Sequence, residues 1–204
     1  MNSTEIGKAE FVLPVKKIYG DSVMPLYATA GSACFDICAY AGASAVEIRA
    51  WDYTSVERRL PPMIDVADSK EDIAKAANCR YYLIPPRYRA LVPTGIKFHM
   101  RKPFGFNPFD GRIMIPSVRI RARSGLSTKG GVCLVNGVGV IDCDYADEVF
   151  VPIHNITDHY ITITHGARIA QGEVVVRDRY EIVETSDDVC KTTERNGGFG
   201  STGV

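Results

Sequence analysis

A guanidinium, a hydroxyl and a backbone without side chain follow one another at Arg123-Ser124-Gly125-Leu126. That series can cradle a phosphate through a bidentate guanidinium, the hydroxyl and an exposed N–H. The same residues also suit a solvated strand face. Further on, Asn136-Gly137-Val138-Gly139-Val140-Ile141-Asp142-Cys143-Asp144-Tyr145 runs small apolar residues into a turn that projects two carboxylates and a tyrosine. Such a turn serves as a solvated corner, a weak metal site or the seat of a general base. Its glycines let a ligand approach the backbone, and the tyrosine offers a flat wall for a ring or a sugar. Arg168-Ile169-Ala170-Gln171, after Gly166, sets an arginine and a glutamine at the two ends of a short strand. At the C-terminus, Gly197 to Val204 has one aromatic among four glycines. Glycine loses the most entropy on ordering, so this segment is either a frayed tail or a flap. As a flap it would stack Phe199 on a base while Ser201 and Thr202 reach phosphate oxygens.

The elements that must position these groups read as strands. Arg119-Ile120-Arg121-Ala122-Arg123 alternates cleanly and puts three guanidiniums on one strand face. Leu91-Val92, Ile96-Lys97-Phe98, Val149-Phe150-Val151, Ile161-Thr162-Ile163 and Val174-Val175-Val176 predict further short strands, punctuated by Pro93-Thr94-Gly95, Gly130-Gly131, Gly166 and Gly172. Many short strands with frequent turns predict an all-β sandwich or barrel. One segment differs. Asp68 to Asn78 has a polar cap, acids in its first turn and then alanines, which predicts a short helix. It lies in a stretch from about Ile48 to Arg80, with Trp51, Tyr53 and the Pro61-Pro62 break, that reads as an insertion on a β core.

Charge and length limit the function classes. The 204 residues suit one domain with an insertion, and Lys+Arg and Asp+Glu are equal at 24. No global field therefore draws the chain to nucleic acid or to a membrane. Charge is segregated locally. Gly111 to Gly130 holds five cations and no acid, and Asp142 to Glu148 holds four acids and no cation. A basic strip beside an acidic cluster suits a polyanion plus a group that handles water or a cation. No stretch approaches the roughly 20 apolar residues of a membrane span, and Met1-Asn2-Ser3-Thr4-Glu5 is not a signal peptide. The six scattered cysteines, with Cys34 and Cys38 lacking a second pair or a nearby histidine, are expected to be reduced thiols of an intracellular, cytoplasmic protein.

The ordered set is specific where each segment alone is not. Ala30-Gly31-Ser32-Ala33-Cys34-Phe35-Asp36-Ile37, Arg123-Ser124-Gly125-Leu126, Gly139-Val140-Ile141-Asp142-Cys143-Asp144-Tyr145, Arg168-Ile169-Ala170-Gln171 and Gly197-Gly198-Phe199-Gly200-Ser201-Thr202-Gly203 resemble the five motifs of the trimeric dUTP pyrophosphatases, the dUTPases. The resemblance covers nearly the whole chain apart from the insertion. It implies an all-β jelly roll or distorted barrel over 1–196, with an insertion at about 48–80 and a flexible arm at 197–204 that closes over the site. It also implies a Mg²⁺-dependent homotrimer with shared active sites that hydrolyses dUTP to dUMP and pyrophosphate, limiting uracil in DNA and supplying dUMP.

Residue roles follow from the same resemblance. Asp142 matches the general base that activates water against the α-phosphorus. Asn136 and the backbone of Gly139, Val140 and Ile141 match the part that reads the uracil edge, and Tyr145 matches the residue packed on the deoxyribose. Arg123, Ser124, Gly125 and Gln171 match the triphosphate grip, and Asp36 matches a carboxylate that holds Mg²⁺ through water. In the last motif Phe199 stacks on uracil, with Arg195, Gly200 and Ser201 as further substrate contacts. Arg195 stands one residue closer to the double glycine than the family's arginine, and Ala122 replaces the proline that many members carry before Arg-Ser-Gly. Two rivals stand beside this reading. A dCTP deaminase shares the core and the grip but needs a proton-shuttling group, typically a glutamate, at the base. A nucleotide-responsive binding protein would use the insertion to face a regulatory partner.

Overall fold

The computed structural model describes residues 12–64, 80–100, 105–106, 113–188 and 190. In chain order the strands are β1 (Val15–Lys17), β2 (Leu26–Tyr27), β3 (Phe35–Cys38), β4 (Ile48–Trp51), β5 (Glu57–Leu60), β6 (Met63–Ile64), β7 (Arg80–Ile84) and β8 (Arg89–Pro93). Then follow β9 (Ile96–Phe98), β10 (Gly105–Phe106), β11 (Ile113–Arg121), helix α1 (Ser124–Gly130), β12 (Val132–Leu134), β13 (Val138–Asp142), β14 (Phe150–Asn155), β15 (Ile161–Thr164) and β16 (Arg168–Asp178). Among the described residues the fold is all-β with one short helix, and every pairing is antiparallel. Among the described residues no helix is long and apolar enough to cross a membrane.

Period-2 alternation builds the core. In β14 the inward positions Val151, Ile153 and Asn155 are buried, and in β8 Ala90 and Val92 face them from the neighbouring strand. One sheet runs β12-β14-β8-β4-β5, and a three-stranded sheet runs β15-β7-β6. The sheet that positions the functional segments runs β10-β11-β16-β3-β2, with β13 paired to the same β11. Phe35, Ile37, Val118, Ile120 and Ile169 carry its inner face into the common core.

Two features depart from the alternation-based reading. Helix α1 grows from Ser124-Gly125-Leu126-Ser127-Thr128-Lys129-Gly130, a run with poor helix formers and no side-chain N-cap bond. It stops at Gly131, whose φ of 62° and N–H bond to the Leu126 carbonyl make an αL cap. The stretch 48–80 opens inside the core. Ile48 and Ala50 of β4 are buried, and Ala50 pairs with Ala90 of β8. The helix expected over 68–78 lies outside the described residues.

Gly172 shows how tightly the site-bearing sheet is packed. It pairs with Phe35 across β16 and β3, and a methyl at this position would overlap the Phe35 ring. Gly172→Ala should destabilise the protein by about 1–3 kcal/mol, the usual cost of overpacking, measured by denaturant unfolding. A second prediction concerns pH. The partly buried Glu148 accepts the Gly95 N–H at 2.7 Å, and burial pushes its carboxyl above the ordinary value of 4.5. The native chain then holds this proton more tightly than the unfolded chain, so stability falls as pH rises from 4.5 through the raised value. Glu148→Gln should flatten that part of the pH–stability profile.

Candidate functional site

Strand pairing lines up one row of side chains across four strands. Arg121 of β11 pairs with Gln171 of β16, Gln171 with Asp36 of β3, and Asp36 with Leu26 of β2. Asp36 is only 7% exposed, a burial that an isolated carboxylate would not tolerate. It is held by two cations. Arg123 Nε donates to its Oδ1 at 2.9 Å, and Arg168 Nη1 donates to its Oδ2 at 3.1 Å. Arg123 Nη1 also reaches the Arg168 carbonyl at 3.4 Å. Two guanidiniums around one carboxylate leave a net positive charge.

Beside this clamp lies an open concavity of about 430 Å³, lined by Arg123, Ser124, Gly125, Leu126, Lys129, Gly130 and Gln171. The chain turns from β11 into α1 here, so the first-turn N–H groups have no intrahelical acceptor. Arg123 and Lys129 make the hollow electropositive, and its polar groups are donors suited to phosphate oxygens. Thus Arg123, Ser124, Gly125 and Gln171 are brought together, with Asp36 behind them. Lys129, a member of the basic strip, joins them because α1 carries it one turn past Gly125. Arg121 does not; its guanidinium is bonded to Glu173 at 2.8 Å.

Magnesium would meet Asp36 only through water. Each carboxylate oxygen already accepts from a guanidinium, which leaves lone pairs for a water-borne hydrogen bond but no bare edge for direct coordination. Gln171, its register partner, adds an amide oxygen on the same sheet face. This donor set fits a hydrated cation carried by phosphates. Among the described residues no three His, Cys, Asp or Glu side chains gather as a cation cage.

The acidic turn sits elsewhere. Asn136-Gly137 forms the turn between β12 and β13, with Gly137 at φ 66° and its N–H on the Leu134 carbonyl. Gly139 packs over Ile120, where an added methyl would press on Ile120 Cβ and Asn136 Nδ2 at 3.3 Å. Val138 and Val140 are exposed, and Ile141 packs against the core. Tyr145 closes the following turn with its N–H on the Asp142 carbonyl at 3.1 Å and its hydroxyl donating to the Glu148 carbonyl at 2.9 Å. Its ring is therefore fixed while 39% of the residue remains exposed.

Register sets Asp142 apart from the phosphate hollow. Val138 pairs with Arg121, the end of β11 nearest the hollow, whereas Asp142 pairs with Ser117. From Ser117 to Arg123 the extended chain covers about 20 Å at ~3.4 Å per residue. That is several times the reach of a general base working through one water. The basic hollow and the acidic turn of this chain therefore do not meet. Arg195, Phe199, Gly200 and Ser201 lie outside the described residues.

Comparison with known proteins identifies what carries this arrangement. A family profile described as dUTPase matches residues 77–203. A deoxyuridine 5′-triphosphate nucleotidohydrolase from Finegoldia magna is 39% identical over 146 residues, which cover 71% of this chain and 91% of that protein. One from a Hydrogenobaculum species is 31% identical over 192 residues, covering 94% and 98%. Among solved structures, the dUTPase of Staphylococcus bacteriophage 80alpha with dUPNHPP overlays with a TM-score of 0.63 at 17% identity, covering 95% of this chain and 99% of that one. A dUTPase from phage phi11 of S. aureus, described with a species-specific insert, overlays at 0.57 and 13% identity, covering 87% and 98%. The fold, the ordered motifs and the matched sequences together make this chain a member of the dUTPase family.

Proposed function

We propose that the protein is a dUTP diphosphatase that works as a homotrimer, each active site assembled from more than one subunit. The observation that carries this reading is the donor-lined hollow at Arg123, Ser124, Gly125 and Gln171, braced by Asp36 and separated from Asp142 within the chain. Triphosphate lies along the hollow, with the free Nη2 edge of Arg123, the Ser124 hydroxyl and the Gly125 N–H as donors. Asp142 of a neighbouring subunit takes a proton from water as its oxygen attacks the α-phosphorus in line. The bond from that phosphorus to the bridging oxygen breaks, and pyrophosphate leaves from dUMP. Asp36 and Gln171 would hold magnesium through its waters, where the ion would supply neutralisation of the phosphate charge.

Selectivity belongs to the turn at Asn136 and to β13. Asn136 and the backbone of Gly139, Val140 and Ile141 read the uracil edge, where the amino group of cytosine would set donor against donor. Tyr145, fixed through Glu148, packs on deoxyribose and leaves no room for a 2′-hydroxyl. Arg195, Phe199, Gly200 and Ser201 belong to an arm, 197–204 with its approach, that closes over the nucleotide. A deaminase would release ammonia from dCTP, and this reading expects none.

A second role rests on the β4–β5 hairpin. Tyr53 is 84% exposed at its tip, and Val56 is exposed beside it. The loop is knit by Asp52, whose Oδ1 accepts from the Thr54 N–H, the Thr54 hydroxyl and the Val56 N–H. A rigid loop with an exposed tyrosine suits contact with a regulatory protein, and phage 80alpha dUTPase is described as controlling transfer of virulence genes. The dispensable part of the 48–80 stretch then begins after β4, whose Ile48 and Ala50 are core.

Pyrophosphate release measured across dUTP, dCTP, dTTP and UTP, with and without Mg²⁺, tests the main reading. Release confined to dUTP and dependent on Mg²⁺ is expected; equal release from dCTP would refute it. Asp142→Asn should lower kcat by about 10²–10⁴-fold while nucleotide affinity stays, as for a positioned base. Tyr145→Ala should narrow the preference for dUTP over UTP, read from the ratio of kcat/KM values.

A further inference from the structure

Strand β16 contains an irregularity at the point where it enters the clamp. Its register to β3 pairs Gln171 with Asp36 and Ala170 with Ile37, then shifts so that Arg168 pairs with Cys38, with Ile169 as the extra residue. Regular alternation back from the outward Gln171 would turn Ile169 outward and Arg168 into the core. The bulge instead buries both Ile169 and Ala170 and returns Arg168 to the outer face, half-exposed. Bulges re-aim side chains next to sites, and here the side chain re-aimed is a guanidinium.

We infer that Arg168 is a positioning residue, acting through Asp36 to hold the Arg123 guanidinium at the phosphate hollow; the inference rests on the phosphate-binding role proposed for that hollow. Arg168 does not line the hollow itself. It restrains Arg123 by two routes. Its Nη1 fixes Asp36 Oδ2 at 3.1 Å while Oδ1 holds Arg123 Nε, and its carbonyl accepts from Arg123 Nη1. With Nε and Nη1 engaged, Arg123 turns its remaining Nη2 edge outward as the free donor. Without the cation at position 168, both oxygens of Asp36 are free for Arg123, and a fork-to-fork pair would draw that guanidinium back from the hollow.

The test uses Arg168→Gln and Arg168→Lys, each in the wild-type and the Asp36→Asn backgrounds of the full-length protein. Steady-state kinetics with dUTP, equilibrium binding of inorganic triphosphate and thermal midpoints are measured. Arg168→Gln should raise KM, and weaken triphosphate binding, by about tenfold, within the coupling found between contacting charged residues. Its kcat should change far less, and Arg168→Lys should recover most of the loss. In the Asp36→Asn background Arg168→Gln should add little, because the route through Asp36 is already broken. An unchanged KM and triphosphate affinity in Arg168→Gln overturns the inference. So does a loss that adds fully to that of Asp36→Asn, or one that follows a fall in thermal midpoint in the lysine variant as well. Failure of the wild-type protein to hydrolyse dUTP would instead refute the proposed activity, and triphosphate binding would still decide the role of Arg168.

Discussion

A carboxylate buried between two guanidiniums sets the terms for the functional end of this molecule. Asp36 is almost inaccessible, and removing an ionised group from water is costly unless it is paired and hydrogen-bonded. Arg123 and Arg168 meet that requirement from separate parts of the chain, one leaving β11 and one entering β16. The triad therefore ties β3, β11 and β16 at the same end of their sheet. It also leaves one positive charge in excess beside a hollow lined with further donors. The same three side chains tie the strands together and set the positive charge beside the hollow.

The register of β13 on β11 imposes the complementary constraint. The turn at Asn136 precedes the residues of β13 that pair nearest the grip, while Asp142 is carried toward the opposite end of β11. A strand pairing this regular cannot be slipped to bring them together, because moving it by one residue would turn Gly139 and Ile141 away from the core. The proposed assembly of copies would bring the two together between chains. In the proposed closed ring each interface would set the acidic turn of one chain against the grip of the next, and every site would be equivalent. Val138 and Val140 leave the outer side of β13 exposed, a face that such an assembly would cover.

Much of this was legible in the sequence, for physical reasons that differ between segments. The strands around Leu91, Ile96, Ile161 and Val174 were readable because each buries one side and the alternation survives. The motif residues were readable as an ordered set that resembles one family. Helix α1 was not, since Ser-Gly-Leu-Ser-Thr-Lys-Gly has little intrinsic helicity and forms where packing and the Gly131 cap hold it. Nor was the bulge at Ile169, because one extra residue in an apolar run leaves no mark on composition. Arg168 consequently drew attention as part of a motif but not for its bond to Asp36. The core character of Ile48 and Ala50 was hidden by the Trp, Pro and Arg residues that follow them. Three guanidiniums on one strand looked equivalent until Glu173 took Arg121.

The shared site can be tested directly by mixing two inactive proteins. Arg123→Ala damages the grip and leaves the acidic turn, and Asp142→Asn does the reverse. Denatured together in equal amounts and refolded, the chains would form mixed rings in which about a quarter of sites join an intact grip to an intact base from different subunits. Recovery of dUTP turnover toward about a quarter of the wild-type rate is the expected result. A mixture that stays as inactive as its two parents, despite proven exchange of subunits, would place grip and base in one chain and contradict the shared site.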